Sequence, residues 1–411
     1  MNSAAVDQRL AQALLQAVRA QRFELTADSM LCGAAVEHFP SIDLAVAAFP
    51  AAGAPLIANV LFSREHPQGL VADIAADAGP VRNIAFMADP QDAHGNSAAW
   101  LPGSDWAQMV WQPLVGTGEH RFVAPYPASL LKLMVLVGVA REVDAGACSW
   151  ADALAYQGLT RPLGDWAFDM TVVSCNIATS ALVAHLHGLG ALNPRQHRLH
   201  ALFESLGLHS LRLANTQPDG GWGNAAGAGV GQIQMTAWDT LRLLWLLDPA
   251  APPAPWLQRR EPLLGASLAH VLLCLREQGL HEILSSSVLA GLPAAAGWLR
   301  GLPARLPERW LQADGSARLV KSDGAVMHFP PDLRLERARC DVSFAHKTGN
   351  TDNYSADAGI VQGIAPARRH YLIALTSNLG RRYAPPGGVA PWRLVALGGA
   401  VDGVVRQMLG D

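Results

Sequence analysis

The segment Pro125-Tyr126-Pro127-Ala128-Ser129-Leu130-Leu131-Lys132 runs straight into Leu-Met-Val-Leu-Val-Gly-Val-Ala, ending at Ala140. The prolines favour a helix start just beyond them. The run beyond Lys132 is apolar on every side, the pattern of a helix buried at the centre of a domain. At positions i and i+3, Ser129 and Lys132 share one face of that helix. Ser129 falls in the first turn, where free backbone N–H groups and the helix dipole favour a developing negative charge. Lys132 is ringed by Leu and Val, and desolvation lowers an amine's proton affinity until a neutral, proton-accepting form exists near pH 7. A plainer reading has Ser129 as a helix cap and Lys132 carrying its ammonium out to the surface. The pair alone leaves both open.

Lysine usage favours the first. The chain has 28 arginines but only three lysines, Lys132, Lys321 and Lys347. Arginine fills the ordinary surface role, so a retained lysine suits a task that arginine cannot do, such as losing its proton.

At 411 residues the chain suits two domains. Half its residues are hydrophobic and 16% are charged, with a net charge of -3 and cations scattered singly. That balance argues against a nucleic-acid partner and against a membrane-surface patch. The first thirty residues read as an amphipathic helix interrupted by Arg9, Arg19 and Arg22, without a signal-peptide core. Cys32, in a Met-Leu-Cys-Gly context, gives only a faint lipoprotein echo. No apolar run reaches the roughly 18 residues of a membrane span. Five widely spaced cysteines read as free thiols in a reducing compartment. A cytoplasmic location is expected.

Strand-like runs (LIANVLF, NIAFMA) precede the Ser129 segment, and helical patterns dominate residues 128 to 250. APPAPW at 251–256 breaks the chain. Helical pattern resumes at 264–300, then an irregular insertion extends to about 339. The last seventy residues carry strand candidates at FAHKTG, DAGIVQGI and HYLIALTSN before a closing helix. These patterns predict an α/β (α+β) fold, a mostly antiparallel sheet flanked by helices with an inserted all-α domain. The expected division is an unassigned N-terminal extension over 1–84, an α/β domain over 85–127 and 257–411, and an all-α domain over 128–256.

Two further motifs lie downstream. Ser174-Cys175-Asn176 enters another apolar helix; Ser174 suits a proton relay and Asn176 a hold on a substrate carbonyl, or the segment is a plain helix cap. Lys347-Thr348-Gly349-Asn350 ends a strand. There the lysine and the threonine hydroxyl suit a substrate carboxylate, and Gly349 permits close approach to the backbone. The alternative is a surface strand with a turn.

In this order, Ser-x-x-Lys, Ser-x-Asn and Lys-Thr-Gly form a specific set. From about residue 85 onward the chain resembles the class A β-lactamase and penicillin-binding-protein superfamily of serine hydrolases. The resemblance implies a β-lactamase/transpeptidase-like fold and Ser129 as nucleophile with Lys132 as its activating amine. It also implies an oxyanion hole from the N–H groups of Ser129 and Asn350, Ser174 as proton shuttle and Asn176 as substrate ligand. Lys347 with Thr348 would form a carboxylate site. No cofactor and no metal are implied, and the partner is a small-molecule substrate.

One departure stands out. Class A β-lactamases carry a deacylating glutamate in an Arg-Leu-x-x-x-Glu-Pro pattern, and here Arg212-Leu213-Ala-Asn-Thr216-Gln217-Pro218 puts Gln217 at that position, facing the substrate. Glutamine is no general base, and general-base catalysis contributes about 10² to 10⁴ in rate. Asp219 is a possible substitute. Glycines 220, 221 and 223 suggest an open loop, and Trp222 among them either lines a pocket or packs. Lys321-Ser322-Asp323-Gly324 in the insertion reads as a coincidental surface turn, and Cys175 as a spacer. His185 and His187 point to different faces, while His197 and His200 lack the further ligands of a metal site. The expected reaction is acyl-enzyme formation on an amide, ester or lactam carbonyl of a small carboxylate-bearing substrate. Two alternatives are a slow β-lactamase with a non-standard base and a silent binding protein that keeps the fold.

Overall fold

The computed structural model describes residues 7–90, 97–101, 103–222, 233–257, 262–289, 293–294, 297–298, 300–321, 324–385 and 388–411. In chain order, helix α1 (Gln8–Ala20) precedes strands β1 (Ile42–Ala48), β2 (Leu56–Phe62) and β3 (Leu70–Val71). A small sheet comes next, made of β4 (Ile84–Ala88), β5 (Pro113–Val115) and β6 (His120–Ala124). Helices α2 (Lys132–Asp144), α3 (Leu163–Val172), α4 (Asn176–Gly188), α5 (Arg198–Ser205), α6 (Ala237–Leu247) and α7 (Gly265–Arg276) fill the middle. A hairpin of β7 (Ala317–Val320) and β8 (Val326–Phe329) and a short helix α8 (Arg334–Arg339) lead onward. The chain finishes with β9 (Val342–Asn350), β10 (Ser355–Gly363), β11 (His370–Ser377) and α9 (Trp392–Leu409).

The main sheet is antiparallel throughout, in the order β9-β10-β11-β1-β2-β3. Its central strands are apolar at nearly every position because both faces are covered. Ala45, Ala47, Leu61, Ala356, Ala358, Ile360 and Ala374 share a core with α2, α3, α4 and α6. The alternate residues Leu44, Val46, Val60, Phe344, Val361 and Ile373 pack against α1 and α9. An α/β arrangement with helices on both sides is therefore what these residues form.

Residues 1–84 lack an assignment from sequence, yet they supply α1 and the strands β1, β2 and β3 of this sheet. The reason is closure: β11 pairs with β1 from His370–Ser377 back to Ile42–Ala48, a contact that no local pattern announces. The helical middle also differs from a purely α unit. Ala153–Tyr156 pairs with Leu159–Pro162, and Arg212–Leu213 pairs with Ile233–Gln234. Gln157 and Gly158 between the first two strands both have positive φ, +47° and +80°, the geometry of a two-residue hairpin turn. Within the described residues no helix is long and apolar enough to cross a membrane.

Candidate active site

Ser129 is half-buried on a single 3₁₀ turn, Ala128–Leu131, that leads directly into α2. The turn is closed by Leu130 N–H donating to Pro127 O at 3.0 Å. Ala128 has φ +49°, a costly value for a residue with a Cβ. Lys132 opens α2, one turn on, and is fully buried.

The Lys132 amine meets three acceptors. Its Nζ lies 2.7 Å from Ser174 O, 3.0 Å from Ser174 Oγ and 2.8 Å from Asn176 Oδ1. Ser174 and Asn176 reach it because the chain reverses between α3 and α4. Ser174 takes φ +54°, and Cys175, fully buried, caps α4. Lys347, also fully buried, enters from β9. Its Nζ sits 3.1 Å from Ser174 Oγ and 2.8 Å from Thr348 O. The Ser174 hydroxyl is thus bracketed by two amines.

The far end of β9 closes on the Ser129 turn. A Cβ on Gly349 would fall 2.4 Å from Pro127 O, 2.7 Å from Leu130 N and 2.9 Å from Ser129 N, so only glycine permits this approach. Asn350 is next, its side-chain amide donating to Val389 O and its Oδ1 accepting from Ser355 Oγ at 3.2 Å. Thr348 is buried and in register with Asp357.

Burial holds both amines well below ordinary lysine. Lys132 is pushed far down, first by desolvation and then by the charges of Lys347 and Lys321. Lys347 comes down to about 7, again through burial, with Asp357 and Glu282 opposing and Lys321 adding to the fall. Behind Lys347, burial raises Glu282 to about 7 and lifts Asp357 well above the carboxylate range. Burial also drives His346 well below 6.5, and its Nδ1 lies 2.8 Å from Asp357 Oδ1.

These positions bring Lys132, Ser174, Asn176, Lys347, Gly349 and the Ser129 turn together where the sheet edge meets the helices. No family model and no curated protein matches the chain. Among solved structures it is similar to a PBP-A variant in an acyl-enzyme complex with penicillin G, at 16% identity and a TM-score of 0.47, over 100% of this chain and 98% of that one. A β-lactamase from Sphaerobacter thermophilus aligns at 12% identity and 0.46, covering 96% of this chain and 97% of its own. A class A β-lactamase from Bacteroides cellulosilyticus aligns at 12% and 0.47, covering 98% and 100%.

Gln217 lies half-buried on a tight turn, its N–H donating to Gly221 O at 2.8 Å. Asp219 is exposed, and its carboxylate accepts from Gly221 N–H at 2.9 Å within the same turn. The turn delivers Trp222, whose ring centroid is 5.6 Å from Lys132 Nζ and whose Nε1 donates to Ser180 Oγ at 3.2 Å. Trp222 therefore stands beside Lys132 while packing against the core. Gly223 lies outside the described residues.

Sequence reasoning misses Glu282. Glu282 carries no motif, yet it is buried with Oε2 lacking a hydrogen-bond partner. Lys321 opens the turn read from sequence, half-buried, with Gly324 N–H donating to its carbonyl and its own N–H to Ala325 O, each at 2.9 Å. Ser322 and Asp323 lie outside the described residues. His197 and His200 stack at 3.4 Å, with His197 capping α5 and His200 Nε2 accepting from Leu213 N–H at 2.8 Å, and no group of three metal-ligating side chains occurs among the described residues.

Proposed function

We propose that the protein is a serine hydrolase or acyltransferase that forms an acyl-enzyme through Ser129 on a small amide, ester or lactam bearing a carboxylate. The observation that carries this reading is the Ser174 hydroxyl held 3.0 Å from Lys132 Nζ and 3.1 Å from Lys347 Nζ, beside a turn that exposes Ser129. Neutral Lys132 takes the Ser129 proton as Oγ bonds to the carbonyl carbon. The oxygen's negative charge falls to the N–H groups of Ser129 and Asn350. As the tetrahedral centre collapses, the C–N or C–O bond breaks. Ser174 donates its proton to the leaving atom and recovers one from the Lys132 ammonium. Asn176 holds the acyl side chain, and protonated Lys347 with Thr348 binds the carboxylate.

Release of the acyl group is a separate matter. Gln217 offers an amide, which accepts no proton at neutral pH. Asp219 is exposed and engaged by Gly221 N–H, a poor setting for activating water at Ser129. The acyl-enzyme should therefore persist, or pass its acyl group to an acceptor that brings its own nucleophile.

A chromogenic cephalosporin tests this. The parent protein is expected to give a stoichiometric burst and then slow turnover, and Ser129→Ala no burst. An equal signal from both proteins would contradict the proposal.

A further inference from the structure

Helix α3 ends at Val172, just ahead of Ser174, and its last carbonyls need partners from outside the helix ladder. Asp169 O accepts from Cys175 N–H at 3.1 Å, which closes the reversal that carries Ser174. Thr171 O and Val172 O are met by the segment that follows α7. Gln278 Nε2 donates to Thr171 O and Gly279 N–H to Val172 O, each at 2.9 Å. That segment is itself held in place. Trp310 Nε1 donates to Glu277 O at 2.8 Å, and Gly279 passes so close to Leu319 that a Cβ there would fall 2.2 Å from Cδ2. Gln278 is fully buried, with Oε1 accepting from Leu280 N–H at 3.0 Å. This fixes which end of the amide is which, and turns Nε2 toward a second carbonyl, His346 O, at 3.5 Å. His346 immediately precedes Lys347 on β9. One side chain thus links the end of α3, three residues before Ser174, to the strand that delivers Lys347.

We infer that Gln278 is a positioning residue for the Ser129 reaction, its amide bracing α3 against β9 so that the Ser174 hydroxyl meets Lys347. This rests on the reading of Ser129 as nucleophile and Ser174 as proton donor to the leaving atom. The contact at stake is Lys347 Nζ to Ser174 Oγ, 3.1 Å, which crosses from the sheet to the helices. Lys132, by contrast, reaches Ser174 and Asn176 from within the helical side, at 2.7 to 3.0 Å. Without the amide, Thr171 O and His346 O lose a shared donor, and nothing in that side chain holds the two segments at one spacing. Lys347 then drifts from Ser174 while Lys132 keeps its partners. An N–H from Lys347 to Oγ leaves the hydroxyl proton aimed at the leaving atom, so drift weakens protonation of that atom above all.

The test compares acylation of the full-length protein by benzylpenicillin and by a thioester that also bears a carboxylate. The lactam nitrogen must gain a proton as its C–N bond breaks, whereas a thiolate departs without one. Both compounds carry the anion, so any change in carboxylate binding cancels in the ratio of their acylation rate constants. In Gln278→Met, of similar length but without donors, the ratio of lactam to thioester should fall about tenfold or more. Gln278→Asn keeps the amide but is one methylene short of spanning both carbonyls, and should give an intermediate ratio. It also supplies the reading if Gln278→Met does not fold. A merely structural brace would slow both reactions alike. An unchanged ratio in either folded variant therefore overturns the inference while leaving Ser129 in place. A parent protein acylated by neither compound overturns both.

Discussion

A hydroxyl between two amines can relay a proton only if the amines differ in protonation. With both charged, Ser174 Oγ would accept from each and donate to neither. Burial prevents this by holding Lys132 and Lys347 far below free lysine, and their mutual repulsion separates them further. The same depression has a consequence for folding. Between about pH 7 and the ordinary lysine value of 10.5, the unfolded chain binds a proton at residue 347 that the folded chain does not. Stability therefore declines as pH falls from 10.5 to about 7, below which both states bind the proton and the loss is complete. Lys347→Met removes this contribution, and easing the repulsion on Lys132 in that variant reduces the pH dependence further. Denaturant titrations at pH 7 and pH 9 should show the parent gaining stability relative to Lys347→Met; a parallel change in both proteins would refute the buried-amine description. At this scale, residue type and spacing single out Lys132, Ser174, Asn176 and Lys347, which the structure brings together. The left-handed backbone at Ala128 and Ser174 is not legible, because neither residue type advertises it.

Among the elements, the contact between β9 and the Ser129 turn is the tightest tolerance. The strand pairs with β10 through nine residues; on its other edge Val342 bridges Ala304, and its far end meets the turn. Gly349→Ala would set a methyl group 2.4 Å from Pro127 O. The strand end must then retreat, at a cost of about 1–3 kcal/mol for overpacking. Because Ser129 N and Asn350 flank that point, acylation should fall more steeply than the shift in thermal midpoint implies. The check is to measure both on one preparation; full acylation with a normal midpoint would mean the approach is looser than described. Strands β9, β10 and β11 and helix α9 are readable from apolar runs and turn residues. The ribbon at 153–162 is not, its turn being Gln-Gly rather than a familiar Asn-Gly pair.

For the whole molecule, the site depends on chain ends meeting. Strand β1 enters the sheet beside β11, and buried Arg382 pairs with buried Asp28 across most of the sequence, with Nε 2.6 Å from Oδ1. Breaking such a pair leaves an uncompensated buried charge, which costs about 3–5 kcal/mol. Residues 7–84 are thus part of the scaffold that positions β9, although they carry none of the three motifs. The motifs fall where the chain must do chemistry, and long-range closure of a sheet leaves no comparable local mark. The assembled molecule is proposed to take an acyl group onto Ser129 and hold it, since Gln217 cannot speed its release. Intact-protein mass spectrometry after exposure to benzylpenicillin reads this directly. The account predicts a single persistent adduct on the parent protein, absent from Ser129→Ala. No adduct on the folded parent together with no turnover, or an adduct that survives in Ser129→Ala, would contradict it.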